Sequence, residues 1–225
     1  MIPSQKGLPL QRDMPTNALN PLFQRQNPSD DEMHLWHASL SSYAFFWNHY
    51  FSQKHDASQL IGQDNFLFYL PQPLILRVQE DDAPLDILRI CAAAVTCGAP
   101  LEVSAPDSML RRVLIKRLIP ASIHQVSETH EELVARLSSS AYPRVRFLTA
   151  PDEELRRRIL HQGARIIEAS VLANGRLELL HYLREVSLSV DYHRYGNRGA
   201  REKEQRAPLK EPNFKEVSCR DCRTS

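Results

Sequence analysis

Residues 73–107 read PLILRVQEDDAPLDILRICAAAVTCGAPLEVSAPD, and this stretch decides the fold. It opens on a short apolar run, Pro73 to Val78, bounded by the acidic turn Glu80-Asp81-Asp82. Pro84 then falls in a first helical turn, where a missing N–H costs nothing. Leu85 to Val95 follows as an apolar helical run that ends at Cys97-Gly98. A second β-rich run, Leu101 to Val103, leads into Ser104-Ala105-Pro106. Strand, helix and strand joined by short turns make one βαβ unit of a parallel sheet.

The same rhythm runs outward from this unit. Further β-rich runs at Phe66–Leu70, Ile123–Val126, Val145–Leu148 and Arg165–Ile167 alternate with helical stretches. Three strand-to-helix junctions share one device: Asp82-Ala83-Pro84, Ser104-Ala105-Pro106 and Thr149-Ala150-Pro151. In each, Asp82, Ser104 or Thr149 is expected to cap the helix while the proline enters its first turn. Thr129 with Glu132 predicts a fourth start in capping-box form. The fold class is therefore α/β, a degenerate Rossmann-like three-layer parallel sheet over residues 63–172.

Upstream, Ser29 followed by Asp30, Asp31 and Glu32 predicts a helix N-terminus, with acids where the helix dipole is positive. Trp36, Leu40, Tyr43, Trp47 and Tyr50 recur at helical spacing to about Lys54, so residues 29–62 read as an aromatic packing helix and a connector. Residues 1–28 carry Pro3, Pro9, Pro15, Pro21 and Pro28 and read as a linker from something that came before. Downstream, residues 173–197 form a separate C-terminal segment. There Leu179, Leu183, Val186 and Val190 fit one helical face, although Ser187 to Tyr192 alternates equally well as a strand. Residues 198–225 are charged, nearly free of apolar side chains, and read as a disordered, solvated tail.

Composition narrows the function classes. With 225 residues, 42% hydrophobic and 24% charged, the chain suits one globular domain with tails. A formal charge of +1 gives no field that would draw nucleic acid or an anionic membrane. No run approaches the roughly 20 apolar residues of a membrane span, and the N-terminus has no signal-peptide apolar region, so a cytoplasmic location is expected. Cys91 and Cys97 in an apolar stretch, with Cys219 and Cys222 near the end, fit reduced thiols better than a disulfide framework.

A doubly wound sheet invites a nucleotide-binding reading, because a glycine-rich first turn normally hands a phosphate to a helix N-terminus. Here that turn is Glu80-Asp81-Asp82-Ala83-Pro84, with no glycine and three carboxylates that repel a pyrophosphate. No Gly-x-Ser-x-Gly elbow, P-loop or His-Glu-x-x-His motif is present. Cys91 reads as a core residue. Cys219 and Cys222 have the spacing of half a zinc site without a second ligand pair, and His34 and His37 form no ligand motif. The basic tail from Arg194 is interrupted by Glu202, Glu204 and Glu211, a weak pattern for nucleic acid.

Two stretches resemble a known family. Asn65 to Pro71 leading into the Leu74 to Val78 strand, the helix ending Cys97-Gly98, and the strand before Ser104-Ala105-Pro106-Asp107 resemble the coenzyme-binding half of the aldehyde dehydrogenase superfamily. In that family's pattern a lysine that contacts the cofactor ribose stands where this chain has Ser104. Glu178 to Glu185, Ser187, Ser189 and His193-Arg194-Tyr195-Gly196-Asn197 resemble the C-terminal motif of proline utilization A, with Val186 in place of an expected glutamine. Ser42 to Asp56 followed by Leu60-Ile61-Gly62 is similar to that family's link into its final domain.

The resemblance implies a non-catalytic C-terminal module of a proline dehydrogenase and glutamate-semialdehyde dehydrogenase enzyme. It implies no cofactor in this chain, with NAD and FAD held by the dehydrogenase body that would be its partner in cis or as a separate chain. The module would help enclose the cavity through which the semialdehyde passes. The family's catalytic cysteine and glutamate match nothing here, so no catalytic or metal residue is assigned. The interaction motif is expected to work through His181, Arg184, His193, Arg194, Tyr195 and Asn197. The alternatives are a small NAD-dependent aldehyde oxidoreductase, which needs a phosphate-accepting turn and a reactive thiolate, and a free-standing interaction protein with a Rossmann-like fold.

Overall fold

The first predicted β-rich run forms strand β1 (Gln63–Pro71), which stays outside the main sheet and pairs instead with the last strand, β7 (Leu183–Asp191). The other five runs form β2 (Leu74–Arg77), β3 (Leu101–Ala105), β4 (His124–Ser127), β5 (Arg144–Phe147) and β6 (Arg165–Ile167). Their order is β4-β3-β2-β5-β6, with every neighbouring pair parallel. The chain starts at the centre, runs to one edge and returns to the far side of β2, which is the Rossmann order with its switch point between β2 and β5. The computed structural model describes residues 19–110, 119, 123–139, 143–192, 203 and 205.

The helices of this part are α1 (Asn20–Gln24), α2 (Asp30–Phe46), α3 (Pro84–Cys97), α4 (Asp107–Leu110), α5 (His130–Leu137), α6 (Glu153–His161) and α7 (Gly175–Glu178). Strand side chains alternate between two layers, as a period of two requires. Leu74, Leu76, Val78 and Val103 share one core with Ile87, Leu88 and Cys91 of α3 and with Trp36 and Tyr43 of α2. Val145 and Phe147 share another with Leu133 and Leu137 of α5 and Leu155 and Ile159 of α6. Helix α3 is buried on nearly all sides, which explains its short Cys91-Ala92-Ala93-Ala94 run. Gly98 closes it at φ 68°, a left-handed conformation that favours glycine.

The helix starts partly correct the sequence reading. Ser29 with Glu32 and Thr129 with Glu132 form complete capping boxes. The three Ala-Pro junctions behave differently. Ala83 is the N-cap of α3 and offers no side-chain cap, while Pro84 is its first residue. Asp152, not Thr149, caps α6 by accepting from Leu155 N at 2.8 Å. Ser104 is a fully buried strand residue. A proline holds the residue before it extended, so the helix begins at or beyond the proline and Asp82, Ser104 and Thr149 stand too early to cap.

Helix α2 runs into a π-helical turn, Trp47–Phe51, so the predicted helix to about Lys54 is nearly continuous. Trp36 and Tyr43 are fully buried, and Trp47 and Tyr50 pack against the same core. Within the stretch read as a linker, α1 brings Phe23 to 5.0 Å from Trp36, and Asn20 Oδ1 accepts from Trp36 Nε1 at 2.8 Å. Counting prolines passed over Asn20 and Phe23, which supply those contacts.

The described residues fall into two units, residues up to 53 with 69–185, and residues 54–68 with those from 186 onward. The second unit holds an antiparallel ribbon in which Ser189 Oγ donates to Asn65 Oδ1 at 2.6 Å and Tyr192 N donates to Gly62 O at 3.0 Å. Lys54 lies over the rings of Phe66 and Phe68. The open choice for Ser187 to Tyr192 resolves as strand. Among the described residues no helix is long and apolar enough to cross a membrane.

Candidate functional site

The crevice at the carboxyl ends of β2 and β5 is where a Rossmann sheet places its ligand. Asp82, from the acidic turn, lies across it. Its Oδ2 accepts from Gln79 N at 2.7 Å, while Oδ1 accepts from Thr149 N at 3.1 Å and from Thr149 Oγ1 at 2.8 Å. Gln79 Nε2 donates to Thr149 O at 2.7 Å, so the two loops are tied by side chains from both. Burial raises the Asp82 carboxyl above its ordinary range, against the pull of its donors. The adjoining α3 N-terminus presents a proline and Asp86, and Asp86 is engaged by Arg89 at 2.8 Å.

The two thiols near this crevice in sequence sit in the core. Cys91 and Cys97 are buried, and burial pushes both up to about 12, far from a thiolate at neutral pH. Cys97 Sγ also donates to Ala93 O at 3.2 Å. Ser104 is equally enclosed. It donates to Glu128 Oε1 at 2.6 Å and accepts from Arg77 Nη1 at 2.8 Å. Arg136 completes this cluster with a forked pair of bonds to Glu128 at 2.9 and 2.7 Å and an ion pair to Glu102 at 2.6 Å. Among the described residues no group of three or more His, Cys, Asp or Glu could hold a metal ion.

The start of the C-terminal segment, residues 175–182, is fixed by a second buried cluster. Arg146, in the middle of β5, donates to Glu178 Oε1 at 2.6 Å and to Tyr182 Oη at 2.9 Å, and both side chains of the ion pair are fully buried. Tyr182 donates to the same carboxylate at 2.9 Å, and Leu172 N donates to it at 3.0 Å. Burial works against the Arg146 charge, but Tyr182 and Glu178 outweigh it and hold the guanidinium firmly protonated. Tyr182 itself is pushed well above its ordinary value by burial. Tyr43 of α2 donates to Leu172 O at 2.6 Å, and Gly175 N donates to Ser42 Oγ at 2.8 Å.

Of the six motif residues singled out, the structure describes two. His181 is half-buried in a 3₁₀ turn, Leu179–His181, where burial and then Arg146 lower its pKa and favour the neutral ring. Arg184 is exposed near the start of β7. His193, Arg194, Tyr195 and Asn197 lie outside the described residues, as do Cys219 and Cys222. Glu178, Tyr182 and Arg146 were not singled out. A guanidinium inside each apolar strand, Arg77 and Arg146, was the available signal, since a buried charge requires a partner.

A cavity of about 870 Å³ lies at the opposite end of the sheet, outside the amino ends of its strands. Leu74, Leu101, Glu102, His124, Arg144 and Arg184 are among the residues that line it.

Strand order and layers together define an α/β protein with a five-stranded parallel sheet of Rossmann type. Among solved structures the chain is similar to proline utilization A (PutA) from Corynebacterium freiburgense, at 22% identity and a TM-score of 0.51. That match covers 83% of this chain and 16% of the other. An NAD-dependent benzaldehyde dehydrogenase from Corynebacterium glutamicum matches at 14% identity and a TM-score of 0.42, over 62% of this chain and 33% of that one. An aldehyde dehydrogenase from Brucella melitensis biovar abortus 2308 matches at 22% identity and a TM-score of 0.34, over 55% and 29%. No family model matches the sequence, and no curated protein matches it.

Proposed function

We propose that the chain is a coenzyme-free module of aldehyde-dehydrogenase-like fold that acts by contact, as the non-catalytic C-terminal part of a proline-catabolic dehydrogenase. The observation that carries this reading is Asp82, whose carboxylate lies across the switch-point crevice and joins its two loops. A dinucleotide entering there meets a fixed anion and must break hydrogen bonds from two backbone amides. The enclosed thiols favour the same reading, because a thiolate nucleophile needs a polar, accessible setting. In this account residues 63–172 are the scaffold and residues 173–197 the contact segment. The start of the segment is held from beneath by Arg146 and Glu178, with His181 half-buried and Arg184 exposed beside it.

In the proposed role the module restricts water exchange around a semialdehyde passing between two active centres. The test is coupled kinetics, following NADH formation from proline by a dehydrogenase body with and without this chain. The chain should shorten the lag before NADH appears and leave proline oxidation unchanged. An unchanged lag, or proline oxidation that shifts equally, refutes the role in enclosure.

A further inference from the structure

Three arginines meet at the amino end of the sheet without an ion pair among the described residues. Arg144 on β5 and Arg165 on β6 are register partners in adjacent parallel strands, so two like charges stand side by side. Arg184 lines the same recess, together with Gln72, Pro143 and Gly163. Arg144 and Arg184 also line the larger cavity of about 870 Å³ next to it. Arg144 Nη1 is buried and has no hydrogen-bond partner among the described residues.

The carboxylates nearby are engaged elsewhere. Glu102 pairs with Arg136 at 2.6 Å, and Glu185 accepts from Tyr69 Oη at 3.2 Å. Like charges placed opposite each other across strands are destabilising, and a desolvated donor without an acceptor adds to that cost. Other arginines of the first unit show the contrast: Arg89, Arg136, Arg146 and Arg156 all hold carboxylates.

We propose that Arg144, Arg165 and Arg184 form a binding site for an oxyanion, a carboxylate or a phosphate, at the amino edge of the sheet. Arginine forks suit both groups, because parallel N–H donors match two oxygens at once. Gln72 holds the site in shape. Its N donates to Tyr182 O at 3.0 Å and its Nε2 donates to Leu183 O at 2.5 Å, which fixes the start of β7 beside β2. Burial and then Arg165 lower the Arg144 pKa, the direction expected of a cation that lacks its counter-charge. The site is on the face opposite the crevice closed by Asp82 and stands whether or not the coenzyme-free reading holds.

The test is thermal denaturation and calorimetry of the full chain with malonate, inorganic phosphate and a tetraglutamate peptide, against sodium chloride at matched ionic strength. At least one probe should raise Tm saturably, and Arg144→Gln or Arg184→Gln should weaken its binding about tenfold each, the loss expected for one charge-assisted bond. Arg157→Gln, an exposed control, should leave binding unchanged. Without any anion, Arg144→Gln should keep or raise Tm, because it relieves the repulsion from Arg165. Preference for tetraglutamate identifies a carboxylate carried on a protein segment, and preference for malonate or phosphate identifies a small free anion. Binding of no probe, or binding that survives both variants, overturns the site.

Discussion

Glu178→Gln removes one charge from the Arg146 pair while keeping shape, and it isolates what the buried cluster contributes. The carboxylate receives Arg146, Tyr182 and Leu172 N, and neither it nor Arg146 has solvent exposure in its side chain. An amide oxygen still accepts, but the Arg146 charge then lies buried without a counter-charge, a change that costs about 3 to 5 kcal/mol in comparable pairs. For a protein of this size each kcal/mol lowers Tm by roughly 2 to 4 °C, so a loss of about 6 to 20 °C is expected. Thermal denaturation followed by circular dichroism reads it, with urea unfolding as a second measure. The double variant Arg146→Met with Glu178→Leu should recover most of the loss, since well-packed apolar replacements of a buried pair are often neutral. A Tm change below about 2 °C for Glu178→Gln, or a double variant as unstable as the single one, would refute this reasoning.

Three other outcomes follow from the same geometry. A Cβ on Gly175 would stand 2.5 Å from Ser42 O, a backbone atom that cannot swing away, so Gly175→Ala should lower the urea midpoint by the equivalent of about 1 to 3 kcal/mol. In a Cys219→Ser, Cys222→Ser chain, Cys91 and Cys97 should resist a thiol reagent at pH 8 until denaturant is added, and rapid native labelling would contradict their burial. Asp82 has a folded pKa raised above the ordinary 3.8 by burial, so its ionisation opposes folding and stability falls as pH rises from there through the folded pKa. Asp82→Asn should flatten that part of the pH profile of unfolding, and an unchanged slope would show the carboxyl to be solvated.

The sheet was legible because its signal is local. Pro73 to Val78 and Leu101 to Val103 are short apolar runs flanked by turn chemistry, and the helices between them carry period and caps. The pairing of β1 with β7 was not legible, because residues 65 and 189 meet across most of the chain and alternation alone does not name a partner. The caps failed at the Ala-Pro junctions for a related reason. Asp82 and Thr149 have the right chemistry for capping but find each other across 67 positions instead. Of the candidate site, the sequence displayed the acidic turn and the motif donors Arg184 and His181, whereas Glu178 and Tyr182 stood only as unremarked members of the quoted motif. Their role depends on Arg146, which tertiary structure alone brings to them.

The closure of the crevice by Asp82 is the physical core of the account, and calorimetric titration of the full-length chain with NAD tests it most directly. The account predicts no saturable heat above dilution for the wild-type chain across the micromolar range. Saturable micromolar binding, abolished by a bulky substitution at Ala83, would contradict it and place a working coenzyme site where Asp82 now joins the two loops.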